Sequence, residues 1–321
     1  MDYLFVLVGL VMLLAGGEGI LRGSLSIAAR FQLSGFFVGV VIVGFGTSLP
    51  ELMVSVAAAL KDQPEIALGN VVGSNIANIL LILGVTALIM PIACVGPDIR
   101  RDAIAVVVVS AMLAALSFMD DIGILVGAAM LAGLVIYMVR VYLAERAQKG
   151  DDAAIIAGVQ ASHHAPSELW KAMLFCLGGL IFLVTGADFL VDGATALAEG
   201  WGVPQAIIGL TLVAVGTSLP ELAASLVAAF RRQSGIVIGN VLGSNLFNIL
   251  GVLGVTVVIS PLPFVGRIAE TDVWIMGAIA LALLLVIMVW RRIGRVVGLV
   301  FLGTYTLYVM SLYANELKAV L

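Results

Sequence analysis

Apolar runs of membrane-spanning length recur along the chain, near residues 3–22, 36–60, 66–90, 103–119, 122–142, 171–191, 204–230, 235–260, 271–290 and 296–314. Each is close to the roughly 20 residues that an α-helix needs to cross the hydrocarbon core. Short polar turns separate them, with one longer polar stretch at 144–169. The pattern predicts an all-α membrane protein of about ten transmembrane helices. The composition agrees: 62% of residues are hydrophobic and only 11% charged, too few charges to coat a soluble domain of this length. The N-terminal run MDYLFVLVGLVMLLAGGEGI opens on an acid and lacks a small-residue cleavage signal, so it reads as a retained first helix.

The chain uses one stretch twice. Gly44–Gly84 and Ala214–Gly254 lie 170 positions apart, and about 25 of 43 aligned positions are identical when the match is carried through Thr86 and Thr256. The offset extends outward, pairing Gly9 with Gly179, Glu18 with Asp188 and Asp102 with Asp272; in the last helix it becomes 171, pairing Tyr137 with Tyr308. A repeat of this length means two copies of a large unit. The expected organisation is a five-helix repeat in 1–143, a linker at 144–169, and a second five-helix repeat in 170–321, all one membrane unit.

Five helices per copy is odd, so the second repeat enters the membrane inverted. Charge tests this. With ten spans, the side of the first loop holds Arg22, Arg30, Arg100, Arg101, Arg140, Arg146, Lys149, Lys171, Arg231, Arg232, Arg291, Arg292 and Arg295; the other holds Lys61, Arg267 and Lys318. The Lys/Arg excess marks the cytoplasmic side. A multi-pass protein of the cell membrane with both termini outside is expected. The turn carrying Asp120 and Asp121 has a twin carrying Arg291 and Arg292, as copies charged for opposite sides should.

Candidate chemistry sits in the repeated stretch. Pro50 lacks an N–H and crowds the carbonyl four residues back, and Gly44 and Gly46 leave that backbone permissive. The helix should kink there and free carbonyls near Gly46 and Thr47, tolerable in lipid only where protein or a polar cavity satisfies them. Ser48, Glu51 and Ser55 share one helix face, as do Asn70, Ser74 and Asn78. Thr217, Ser218, Pro220, Glu221, Ser225, Asn240, Ser244 and Asn248 repeat the arrangement. Structural kinks and helix–helix glue would explain either motif alone. Two glutamates in mid-membrane shift the balance, because an ionisable group at the bilayer centre costs at least about 2.5–3.5 kcal/mol. The donors are all hard oxygens, which suit Ca²⁺ or Na⁺ and disfavour zinc, copper or iron.

These motifs, GTSLPE and GSNxxN in both halves, resemble the α-repeats of the cation/Ca²⁺ exchanger superfamily, most closely its short prokaryotic sodium/calcium exchangers. The resemblance covers essentially the whole chain. It implies that helices 2, 3, 7 and 8 surround the ions while helices 1 and 6 move across them. By motif position it implies Glu51 and Glu221 as shared central Ca²⁺/Na⁺ ligands. Ser48, Ser218, Ser74 and Ser244 would supply hydroxyls, Thr47, Thr217 and Ala214 backbone carbonyls, and Asn78 and Asn248 amide oxygens or a held water. Some relatives, including potassium-dependent ones, carry Asp at the position of Asn248; Asn there speaks against potassium dependence and leaves the site two acids.

The expected activity is Na⁺/Ca²⁺ antiport by alternating access, electrogenic if a third Na⁺ is carried, with H⁺/Ca²⁺ exchange through the same glutamates as the alternative. Ca²⁺ and Na⁺ are then cargo, and no cofactor, nucleic acid or obligatory protein partner is expected besides the bilayer. A channel would not call for one glutamate in each inverted half, and an intramembrane serine hydrolase lacks a histidine in any span. His163 and His164 lie in the linker, and Cys94 and Cys176 read as small buried hydrophobes. Glu18 and Asp188 could line an entrance or snorkel to the interface. Asp102 and Asp272 read as structural helix-start acids, and the glycines of helices 1 and 6 as a packing surface.

Overall fold

The computed structural model describes residues 2–119, 121–147, 168–201, 216–264 and 266–320. They form ten helical elements: α1 Asp2–Phe31, α2 Gly35–Leu60, α3 Pro64–Ile89, α4 Pro97–Leu116, α5 Ile124–Ala147, α6 Leu169–Gly200, α7 Leu219–Phe230, α8 Ser234–Ile259, α9 Ile268–Trp290 and α10 Arg295–Val320. Eight of these are long and apolar enough to cross a membrane unaided. The other two are α4, whose first turns carry Asp98, Arg100, Arg101 and Asp102, and α7, whose expected span 204–230 begins outside the described residues.

Several boundaries differ from the hydropathy pattern. The first and sixth helices run 30 and 32 residues, well beyond their apolar runs. Glycines explain why. A Cβ on Gly16 would stand 2.7 Å from the Gly179 carbonyl oxygen, one on Gly179 2.5 Å from the Ile20 nitrogen, and one on Gly193 2.8 Å from the Asp2 carbonyl oxygen. The two helices therefore lie antiparallel in backbone contact along their length, and each supports the other's polar end. Asp102 is not a helix-start residue, because Pro97 opens α4 earlier; Asp272 stands at the N-cap of the α-helical part of α9, after a π-helical turn at Ile268–Asp272. Both acids are paired to arginines, Asp102 to Arg101 at 2.8 Å and Asp272 to Arg267 at 3.1 Å. The ends of segment 144–169 are helical, in α5 and α6; His163 and His164 lie outside the described residues.

Loop contacts establish the inverted arrangement. Four two-residue strands, β1 Ile92–Ala93, β2 Asp121–Ile122, β3 Leu262–Pro263 and β4 Arg292–Ile293, form two antiparallel pairs, β1 with β4 and β2 with β3. The loop after α3 thus shares a side with the loop after α9, and the loop after α4 with the loop after α8. Each pair is the other's image under the repeat. Near the start of α2, Glu145 of α5 accepts bonds from the Ser34 N–H and, at 3.0 Å, the Ser34 hydroxyl.

At the centre, α3 and α8 are the most buried helices, while α5, α6 and α10 show most of their surface. The close crossing is between α2 and α8: a Cβ on Gly239 would stand 2.5 Å from the Phe36 carbonyl oxygen, and one on Gly243 2.6 Å from that of Val40. Small residues let the two halves meet backbone to backbone where lipid supplies no hydrophobic drive.

Candidate functional site

The predicted kinks are present in both halves. Helical conformation lapses at Ser48 (φ −82°, ψ 3°) and Ser218 (φ −89°, ψ 2°), and helix resumes at Leu49 and Leu219 with Pro50 and Pro220 in the first turn. Glu51 and Glu221 follow in that turn, where the helix N-terminus favours negative charge. Both are fully buried. They lie close enough to interact electrostatically, and Thr47 and Ser48 stand beside Glu221.

Asparagines hold the broken helices in place. The Asn70 amide nitrogen donates to the Glu51 carbonyl at 2.9 Å and the Ser55 hydroxyl at 2.8 Å; Asn240 does the same for Glu221 at 3.3 Å and Ser225 at 3.0 Å. Asn70 and Ser55 share a face with the predicted ligands, but these bonds make them scaffold. Other bonds cross between halves. Asn248 Nδ2 donates to Ser74 Oγ at 3.1 Å, Asn78 Nδ2 to Asn245 Oδ1 at 3.1 Å, Ser244 Oγ to the Gly44 carbonyl at 3.3 Å, and Thr47 Oγ1 to Asn240 Oδ1 at 3.4 Å. Asn245 was not singled out from the sequence, although GSN stands in both copies. The π-helical turns Asn78–Ile82 and Phe247–Val252 have no sequence signal beyond the asparagines beside them; such turns are frequent at functional sites.

Two consequences follow for the oxygens. With their amide nitrogens committed, Asn78 and Asn248 present Oδ1 atoms that make no hydrogen bond among the described residues. The same holds for both carboxylate oxygens of Glu51 and of Glu221, and for Ser48 Oγ and Ser218 Oγ. Buried polar atoms are otherwise almost always satisfied. These orphaned oxygens, two of the groups carboxylates, are a candidate donor set for a hard cation; the amide nitrogen of Asn245, which bonds Asn78 through its oxygen, is unpartnered as well. No three His, Cys, Asp or Glu side chains gather among the described residues; the other candidate donors are neutral oxygens. Thr47, Ser74 and Ser244 are buried as well; Thr217 is half-buried, and Ala214 lies outside the described residues.

The surroundings are unequal on the two sides. A cavity of about 170 Å³ reaches Pro50, Thr217 and Pro220 from a mouth that includes Asp188 and Asp192 of α6. Towards the arginine-rich side, Glu18 of α1 is gripped by Arg22 at 2.7 Å and by Arg231, at the end of α7, at 2.7 and 3.2 Å. Glu18 is thus an ion-pair residue, while its twin Asp188 lines an opening.

A family model described as sodium/calcium exchanger protein matches residues 1–143 and 171–314, both halves of the fold just described. The chain belongs to that family. Its members are membrane antiporters for cations and Ca²⁺, and this exchanger is therefore a transporter and not an enzyme. It is 38% identical to the putative antiporter CaxA of Alkalimonas amylolytica over 97% of its own length and 98% of the relative's. It is 29% identical to the sodium/calcium exchanger MaX1 of Methanosarcina acetivorans, covering 97% and 98% of the two chains. Among solved structures, the sodium-calcium exchanger NCX_Mj soaked with Na⁺ and Ca²⁺ superposes on the exchanger with a TM-score of 0.83 at 32% identity, over 97% of this chain and 98% of that one.

Proposed function

We propose that the chain is a Na⁺/Ca²⁺ antiporter of the cell membrane, with both termini outside and segment 144–169 joining its two halves on the cytoplasmic side. The ligands are Glu51, Glu221, Ser48, Ser218, Ser74, Ser244, Asn78 and Asn248, with backbone carbonyls of Thr47, Thr217 and Ala214. The observation that carries this reading is the set of unpartnered buried oxygens on both glutamates, both serines of the kinks and both asparagines of the π-turns.

Two carboxylates supply a formal charge of −2, which one Ca²⁺ or two Na⁺ neutralises. The two loads need the same oxygens, so they exclude one another, and exchange becomes obligatory. A third Na⁺ makes each cycle move net charge, worth about 2.3 kcal/mol per elementary charge per 100 mV. The open cavity beside Asp188 and Asp192 fits access from the outer side, and the Glu18–Arg231 contact fits closure of the inner one. Movement of the α1–α6 pair across the kinks would exchange the two.

Proteoliposomes loaded with Na⁺ and diluted into Na⁺-free medium at clamped pH should take up Ca²⁺, and Glu51→Gln or Glu221→Gln should abolish uptake in a protein that still folds. Full uptake in either variant would refute the site. Uptake that ignores Na⁺ and requires a pH gradient would assign the same glutamates to proton coupling.

A further inference from the structure

A second cavity, of about 430 Å³, lies on the arginine-rich side between the loop after α3 and the end of α9. Val95, Gly96, Ile287 and Met288 line it together with Arg100 and Arg291. Neither arginine is in an ion pair among the described residues. The neighbouring acids are occupied, since Arg101 binds Asp98 at 2.9 Å and Asp102 at 2.8 Å. The cavity therefore combines two uncompensated positive charges with the apolar side chains of Val95, Ile287 and Met288, of which Val95 and Met288 are exposed.

Arg291 is one of four left-handed residues other than glycine among the described residues, with Gln32, Asp62 and Arg232. It caps α9 in the left-handed region (φ 51°, ψ 17°), where glycine sits freely and a long side chain does not. Its carbonyl accepts the Cys94 N–H at 2.9 Å, which fixes the arginine against the opposite wall.

The inverted repeat supplies a comparison inside the molecule. On the other face the same loop recurs, with Gly266 (φ +68°) in the place of Gly96 (φ +135°). There the offset puts Glu270 in the position of Arg100, and Asp120 in the position of Arg291. The twin positions carry acids in the sequence, and the two arginines are a feature of one side only. A general excess of Lys/Arg on that side does not require them to flank a cavity with an apolar wall. A phosphodiester headgroup with its acyl chains alongside does, and basic pockets between helices on the cytoplasmic side hold such headgroups.

We propose that this cavity binds the phosphate headgroup of an anionic phospholipid, with Arg100 and Arg291 on the phosphate and an acyl chain along Val95 and Met288. The site is separate from the glutamates and does not depend on which ion drives transport.

The test is thermal unfolding of the full chain in detergent with added phosphatidylglycerol, phosphatidylcholine or free glycerol phosphate. Phosphatidylglycerol should raise Tm by mass action, more than phosphatidylcholine does, and glycerol phosphate should not. Arg100→Gln/Arg291→Gln should erase the difference between the lipids, and Arg100→Lys/Arg291→Lys should keep it. Met288→Trp, which fills the apolar wall and keeps both charges, should weaken the response. A wild type that does not distinguish the two lipids overturns the proposal, whatever the variants do. So does an unchanged preference in a folded glutamine variant, or a glycerol phosphate shift equal to that of the lipid.

Discussion

At the scale of single residues, the centre separates side chains whose polar groups are bonded within the protein from side chains whose polar groups find no partner among the described residues. Asn70 and Asn240 spend their amide groups on backbone and serine oxygens, whereas Ser48 and Ser218 keep unpartnered hydroxyls. Asn70→Ala should therefore lower Tm in detergent, since it orphans buried acceptors at about 1–3 kcal/mol. Ser48→Ala should leave Tm nearly unchanged but raise the Ca²⁺ concentration for half-maximal uptake about tenfold, the equivalent of about 1.5 kcal/mol for a contact to a charged group. The pattern of unfolding and uptake midpoints in the two variants checks the division. Cys94 gives a pH prediction. Burial pushes its thiol up to about 12, so at pH 8 it is almost wholly protonated and the nucleophilic thiolate is scarce. In a Cys176→Ala background, maleimide labelling of the native protein should be negligible at pH 8 and become rapid on unfolding. The glutamates and hydroxyls proposed as ligands stand out in the sequence because charge and repetition mark them. The division of labour among the asparagines does not, because it depends on which amide nitrogen finds a partner across the two halves.

Helices carry the next level. The α1–α6 pair rests on glycines, and they are not equivalent. Around Gly178 there is no atom within 4 Å of an added Cβ, whereas one on Gly179 would stand 2.5 Å from the Ile20 nitrogen. Gly179→Ala should destabilise the protein by about 1–3 kcal/mol, the usual cost of overpacking, and slow transport. Gly178→Ala should do neither; equal Tm values for the two variants would show that the pair is loosely packed. Helix number and order could be read from hydropathy because each apolar run is near the roughly 20 residues that cross the hydrocarbon core. The true lengths of α1 and α6 could not, because Arg22, Arg30 and Asp192 end the apolar runs while helix-to-helix glycine contacts continue the helices beyond them. The π-turns at Asn78 and Phe247 escaped as well, because beyond the asparagines the local sequence carries no signal for them.

The whole molecule is two copies of one plan facing opposite ways, with Lys61 and Arg231 as twins at the equivalent turns. Those turns share a backbone form. Asp62 and Arg232 are both left-handed, at φ 54° and 58°, and the N–H groups of Gln63 and Gln233 bond the carbonyls of Ala58 and Ala228 at 3.0 and 2.8 Å. In cells, Lys61→Cys should react with a membrane-impermeant maleimide added outside, and Arg232→Cys only after the membrane is opened. Labelling of both from the outside would overturn the inverted topology. The small strands bear on how the chain is made. Ile92 pairs with Ile293, and Ile122 with Leu262, so the first half cannot complete its own loops. About 200 residues must be synthesised after Ile92 before its partner exists, an interval on the order of 10–40 s at about 5–20 residues per second. Assembly therefore has a built-in last step: both clasps close only after the second repeat has been inserted in the opposite sense, and a chain inserted the wrong way round would have no partner for either.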